Sequence, residues 1–226
     1  CLSTFSVSEM QTLDLGLDEI SIGLLEDYLL ASAYLIGFKN EKLHGRKYLD
    51  GGVTNNLPVN SLLERGYDNL IQIRIYGPGW VQKAKKDKED VILEIAPRVN
   101  LGSIIEFQQK RSRQNLKLGY YDAKRMIYGL EGKIYYIEET REEWYYEKIL
   151  EELSEIEKAE IAFVLKLSLG YKAEELYMGM LEASAKLLRI PKYQIYTVQQ
   201  LEQEVYVRYA QLQDTVKLPR FVHFFM

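Results

Sequence analysis

One acid, Asp50, stands in "RKYLDGGVTNNLPVNSLLERG" where a short extended run gives way to Gly51 and Gly52. A bend made there releases the carboxylate from the strand, because glycine tolerates dihedrals closed to other residues. Neither glycine has a side chain to hold a reacting group away. Asn55 and Asn56, just beyond, offer donors that fix the loop or the carboxylate. The chemistry on offer is that of a general base: a carboxylate takes a proton from a hydroxyl held against it. Asp-Gly is also a common turn pair whose acid merely accepts turn amides, and taken alone it points to that use.

The elements that must hold this acid follow from periodicity. "LSTFSVSEM" alternates as a strand does, while the acids and glycines of "QTLDLGLDEISIG" predict a loop. Apolar residues at helical spacing in "LLEDYLLASAYLIGF" predict a helix over residues 24–35. Pro58 has no amide hydrogen to lose and suits the first turn of a helix through "VNSLLERG", with Gly66 as its C-terminal cap. "NLIQIRIYG" returns as a strand. Strand, turn, helix and strand in succession read as a βαβ-like unit, which predicts α/β layers and a parallel sheet. "VQKAKKDKED" is charged and aperiodic, a solvated loop. "VILEIAP" and "KIYYIEE" are further strands, and residues 103–128 form a helix between them.

Beyond Thr140 spacing and composition are helical, interrupted at Pro191, and the "TVQQ" from Thr197 matches a capping box before a last helix. Two parts are therefore expected: an α/β part over residues 1–140, and a helical extension or small helical domain over residues 141–226.

"LLASAYLIGF" followed by "GRKYLDGGVTNNLPVNSLLERGYDNLIQIRI" resembles the C-terminal half of patatin-like phospholipases, in which an Ala-Ser-rich helix precedes a strand ending in D-G-G/A. The resemblance covers residues 2–138 and is most specific over 31–75. It implies a partial three-layer α/β/α core with the helical segment added, a lipid acyl ester as substrate, a covalent acyl-serine intermediate and no cofactor. In that family the aspartate of D-G-G/A pairs directly with a nucleophilic serine, without histidine. The matching residue is Asp50, with Gly51, Gly52, Asn55 and Asn56 as support for its loop. Its implied role is to take the serine hydroxyl proton during attack on the ester. Carboxylates are weak bases at neutral pH, so direct contact carries that step.

The family's serine sits in G-x-S-x-G on a strand-to-helix turn, beside a glycine-rich segment that supplies oxyanion amides. This sequence has neither; in "EISIG", Ser21 has Glu19 where the first glycine belongs. The opening at Cys1 falls in mid-strand, as in a fragment or processed chain. The expectation is that the family's N-terminal half, with the nucleophile, is the missing partner, and that this chain alone does not turn over esters. A rival of another class is a non-catalytic lipid- or protein-binding module that keeps this half of the fold and uses its tyrosine-rich helices as the interface.

Eighteen tyrosines against seven phenylalanines suit half-wet surfaces, either packed at element edges or forming a lipid or partner surface. Lys110, Arg113 and Lys117 share a helix face with Arg111 beside it, where a phosphate headgroup could dock or water simply solvates the charges. His44 falls in an exposed turn, and the implied dyad works without it; His223 reads as a packed or surface residue.

Composition sets the outer limits. At 226 residues, 47% hydrophobic and 27% charged, the chain can bury a core as ordinary globular proteins do. A net charge of −4 supplies no basic field for nucleic acid. One cysteine and two histidines leave little for a soft metal site, and the lone Cys1 fits a reducing compartment. No apolar run nears the length of a membrane span and no leader pattern opens the chain. The expected setting is cytoplasmic, with membranes met only at their surface.

Overall fold

A computed structural model describes residues 1–38, 41–103 and 105–226 of this mixed α/β chain. Its contacts divide it into two compact units, residues 1–96 with 102–106, and residues 97–101 with 107–226.

The first unit grows from β1 (Leu2–Ser6), whose alternation buries Thr4 and Ser6. β2 (Gln11–Leu15) pairs with one side of it, antiparallel. After α1 (Leu25–Ala31), β3 (Tyr48–Asp50) pairs antiparallel with the other side, Thr4 opposite Asp50. The stretch expected as loop thus contains a strand. Leu13 and Leu15 alternate with Thr12 and Asp14 for only five residues before Gly16, too short a run to stand out from the acids and glycines after it, and Asp14 accepts a hydrogen bond from Ser61 of α2 (Val59–Leu63). α2 begins just after Pro58, and the chain leaves it through Gly66 at φ +84°.

β4 (Asn69–Ile73) and β5 (Val91–Ile95) form a separate parallel pair, Ile71 opposite Leu93. This corrects the βαβ expectation. β3 is only three residues long and takes β1 as its partner, so the strands on either side of α2 lie in different sheets. The buried apolar cluster of this unit is small, built on Ala31, Tyr34 and Tyr48. Ile71, Ile73, Val91 and Leu93 of the parallel pair remain exposed.

The second unit holds the larger core. α3 (Gln109–Tyr128) ends at Gly129, which adopts the left-handed φ of +62°. β6 (Tyr136–Glu138) pairs in parallel with β7 (Ile195–Thr197), and around them lie α4 (Glu143–Ile149), α5 (Glu155–Val164), α6 (Ala173–Leu187), α7 (Val198–Ala210) and α8 (Arg220–His223). α6 is central: its Met180, Leu181 and Ala185 are fully buried in one cluster with Ile137, Leu201 and Val205. Thr197 caps α7 as the sequence predicts, accepting from Gln200 N at 3.2 Å.

The division expected at Thr140 lies inside this unit. β6 belongs with the helices because its partner β7 comes from them, and because Glu182 of α6 holds the turn before it. The Glu182 carboxylate accepts from Lys133 N at 2.9 Å and from Ile134 N and Tyr135 N at 2.7 Å each.

Tyrosines fill this core. Tyr135, Tyr136, Tyr146, Tyr177 and Tyr196 are buried, and each hydroxyl reaches an acceptor: Ile190 O, Asp122 Oδ1, Glu139, Glu202 and Pro191 O respectively. Buried phenols need such partners. Packing is therefore the role of these five. Among the described residues, no helix is long and apolar enough to cross a membrane.

Candidate active site

β3 stops at Asp50 because Gly51–Val53 turns at once into a 3-10 helix that this acid caps, Gly52 N donating to Asp50 Oδ1 at 2.7 Å. The strand is pinned behind the acid. Asp50 N donates to Tyr34 O, just past α1, at 2.8 Å, and Thr4 Oγ1 donates to Leu49 O at 2.9 Å.

The two glycines serve closeness and not unusual dihedrals, since neither adopts a positive φ. Gly51 is buried against β1, where a Cβ would stand 2.6 Å from the backbone oxygen of Ser3. A Cβ on Gly52 would run into the Asn56 carboxamide. Open approach past a missing side chain, expected of both, is met only at Gly52, which lines a cleft; Gly51 is not among the lining residues.

Asn55 and Asn56 fix the loop and leave the carboxylate alone. Asn55 is buried and accepts from Leu57 N at 3.3 Å and from Gln82 N at 3.2 Å. Asn56 donates from Nδ2 to Pro78 O at 3.1 Å and from its backbone N to Trp80 O at 2.6 Å, while Trp80 N returns a bond to Gly52 O at 3.1 Å. Asn60 extends the seam, donating to Lys83 O at 3.2 Å and accepting from Lys85 N at 2.8 Å. Residues 78–85 therefore lie along the Asp50 loop as a strap.

Sequence reasoning misses that strap and reads most of it as solvated loop. The available signal is "GPGW": Gly79 adopts φ +128°, and a Cβ there would collide with Gly52 O. Glycine beside a proline in this way marks a tight backbone approach.

Asp50 and Gly52 open on a cleft of about 510 Å³, with Leu35, Ile36, Phe38, Ile75 and Trp80 as apolar walls. Ligand sites have this character, an apolar cavity with few polar groups. Asp50 Oδ1 is committed to Gly52 N, and among the described residues Oδ2 has no hydrogen bond. A carboxylate so held can accept a proton from a hydroxyl presented in the cleft, beside walls suited to an apolar chain.

Other candidates lie elsewhere. Among the described residues no serine lines the cleft. Ser21 is exposed in the turn before α1. Ser3 Oγ is buried without a hydrogen-bond partner and does not line the cleft. His44 is exposed, its Nε2 standing 2.6 Å from Asp27 Oδ2. His223 Nδ1 lies 2.8 Å from the Tyr209 hydroxyl in the second unit. Among the described residues no cluster of three or more His, Cys, Asp and Glu side chains is placed to hold a metal ion. In comparisons with known proteins no family model matches this chain, and neither a curated protein nor a solved structure matches it.

Proposed function

We propose that this chain is the aspartate-bearing part of a patatin-like serine acyl hydrolase, with Asp50 as the base of a Ser-Asp dyad and a lipid acyl ester as substrate. The nucleophilic serine belongs to polypeptide outside this sequence. The supporting observation is the setting of Asp50: one carboxylate oxygen anchored by its own loop, the other without a protein partner, on a cleft with apolar walls. A three-layer α/β/α core completed by the missing half fits the uncovered isoleucines of β4. No cofactor enters the proposed chemistry.

Loss of a catalytic nucleophile lowers rate on the order of a million-fold, whereas loss of a general base alone lowers it about a hundred- to ten-thousand-fold. The chain by itself is therefore expected to give no burst with an activated acyl ester. Turnover by the chain that Asp50→Asn abolishes would overturn the missing-nucleophile reading. In a protein that also supplies G-x-S-x-G, Asp50→Asn is expected to remove hydrolysis while the circular dichroism spectrum stays unchanged. Retained hydrolysis there takes Asp50 out of the mechanism.

A second reading, a non-catalytic binding module on the same half-fold, is favoured by the lack of G-x-S-x-G in the sequence. Coding sequence upstream of Cys1 separates the two. A nucleophile motif there supports the hydrolase, and its substitution supports the module.

A further inference from the structure

We infer that the outward face of α3 is a docking surface for an anionic lipid bilayer. The helix turns Leu118 and Asp122 inward, both buried. Opposite them, at intervals of three, four and seven residues, stand the cations Lys110, Arg113, Lys117 and Lys124. Interleaved on the same face are Leu116, Tyr120, Ile127 and Tyr128, each more than half exposed, at 74%, 57%, 65% and 64%. The only acid of α3 is the buried Asp122, so no carboxylate of the helix neutralises this face. Among the described residues Lys110, Arg113 and Lys117 make no ion pair, and Lys124 Nζ sits 4.7 Å from the centre of the Tyr120 ring. A stripe of four cations thus stands out on a chain whose net charge is −4.

Charge and apolar content together select the occupant. A helix lying in a membrane interface offers cations to anionic headgroups and apolar or aromatic side chains to the acyl boundary. Leu116 and Ile127 gain from that boundary and gain nothing from a phosphodiester backbone. A second copy of the chain, meeting this face through a two-fold axis, would set cation against cation. A face that is only solvated has no use for four large apolar or aromatic residues among its charges. The inference concerns the second unit and does not rest on the chemistry proposed at Asp50.

Flotation of the whole chain tests it, with vesicles of phosphatidylcholine alone and vesicles that also contain phosphatidylserine, at low and high salt. Binding is expected only with phosphatidylserine present, weakening as salt rises. Arg113→Glu with Lys117→Glu is expected to lower partitioning about 30-fold or more. Leu116→Ser with Ile127→Ser is expected to weaken it as well, and Lys85→Glu with Lys86→Glu to leave it unchanged. Thermal melts of each variant establish that it remains folded. Equal binding to the zwitterionic vesicles, indifference to the α3 substitutions in folded variants, or tighter binding to single-stranded RNA than to anionic vesicles at the same salt overturns the inference.

Discussion

At Gly51 a single methyl group decides whether the acid next to it keeps its place. Alanine there would press on the backbone oxygen of Ser3 at 2.6 Å, and backbone in a paired strand cannot step aside as a side-chain tip can. Gly51→Ala is expected to destabilise the first unit by about 1–3 kcal/mol, the usual cost of overpacking. A urea titration followed by circular dichroism checks this, and an unchanged midpoint contradicts the packing described. The place of Asp50 at the end of a strand was legible from residue types alone, because an extended run precedes it and two glycines follow. The reason for the glycines was not. Their need comes from Ser3 and Asn56, partners 48 and 4 positions away, which no local pattern discloses.

Glu182 shows how one element imposes order on another. Its buried carboxylate gathers the amides of residues 133–135, the turn that delivers Tyr135 and the strand after it into the core. Glu182→Ala leaves those amides without their acceptor, and a loss of about 3 kcal/mol or more is expected, with Glu182→Gln milder because one oxygen stays in place. Thermal denaturation of the two variants checks the order. Elements with local signals were readable in the sequence: α7 from its capping box at Thr197, α1 from apolar spacing, β4 and β5 from their apolar runs; the helix expected over residues 103–128 begins only at Gln109. β2 and β7 were not readable. The first alternates over only five residues before running into Gly16 and the acids after it, and the second is three residues long, too short to show a period. Strand pairing was likewise out of reach, since the choice of β1 over β4 as partner for β3 depends on contacts far apart in the chain.

Across the whole molecule, burial of phenols dictates behaviour at high pH. Burial is the first cause in each case: it pushes Tyr136 up to about 12 and raises Tyr135, Tyr146 and Tyr177 above the ordinary value of 10.0. Asp122 adds to the effect at Tyr136, Glu139 at Tyr146 and Glu202 at Tyr177. A raised folded value means that the folded state binds these protons more tightly than the unfolded one. The stability they contribute is full below pH 10 and is lost progressively as pH rises above 10, through about 12 for Tyr136 and higher for the other three. Arg125, lowered to about 10 by burial and then by Arg98, carries the opposite sign, against these four phenols and Tyr196, which burial also raises. The second unit is therefore expected to unfold cooperatively in that alkaline window, with the share of tyrosinate absorbance that belongs to the buried phenols appearing only together with loss of helix signal. Gradual ionisation of all tyrosines near pH 10 with helix retained contradicts the buried positions.

The cleft also comes with its own optical reporter. Of the two tryptophans, Trp80 forms part of the wall beside Asp50, and Trp144 belongs to α4 in the other unit. Once Trp144 is replaced by phenylalanine, the emission wavelength of the remaining indole follows the polarity of that wall, so occupancy by an apolar molecule becomes readable in plain solution, with no turnover and no labelled substrate.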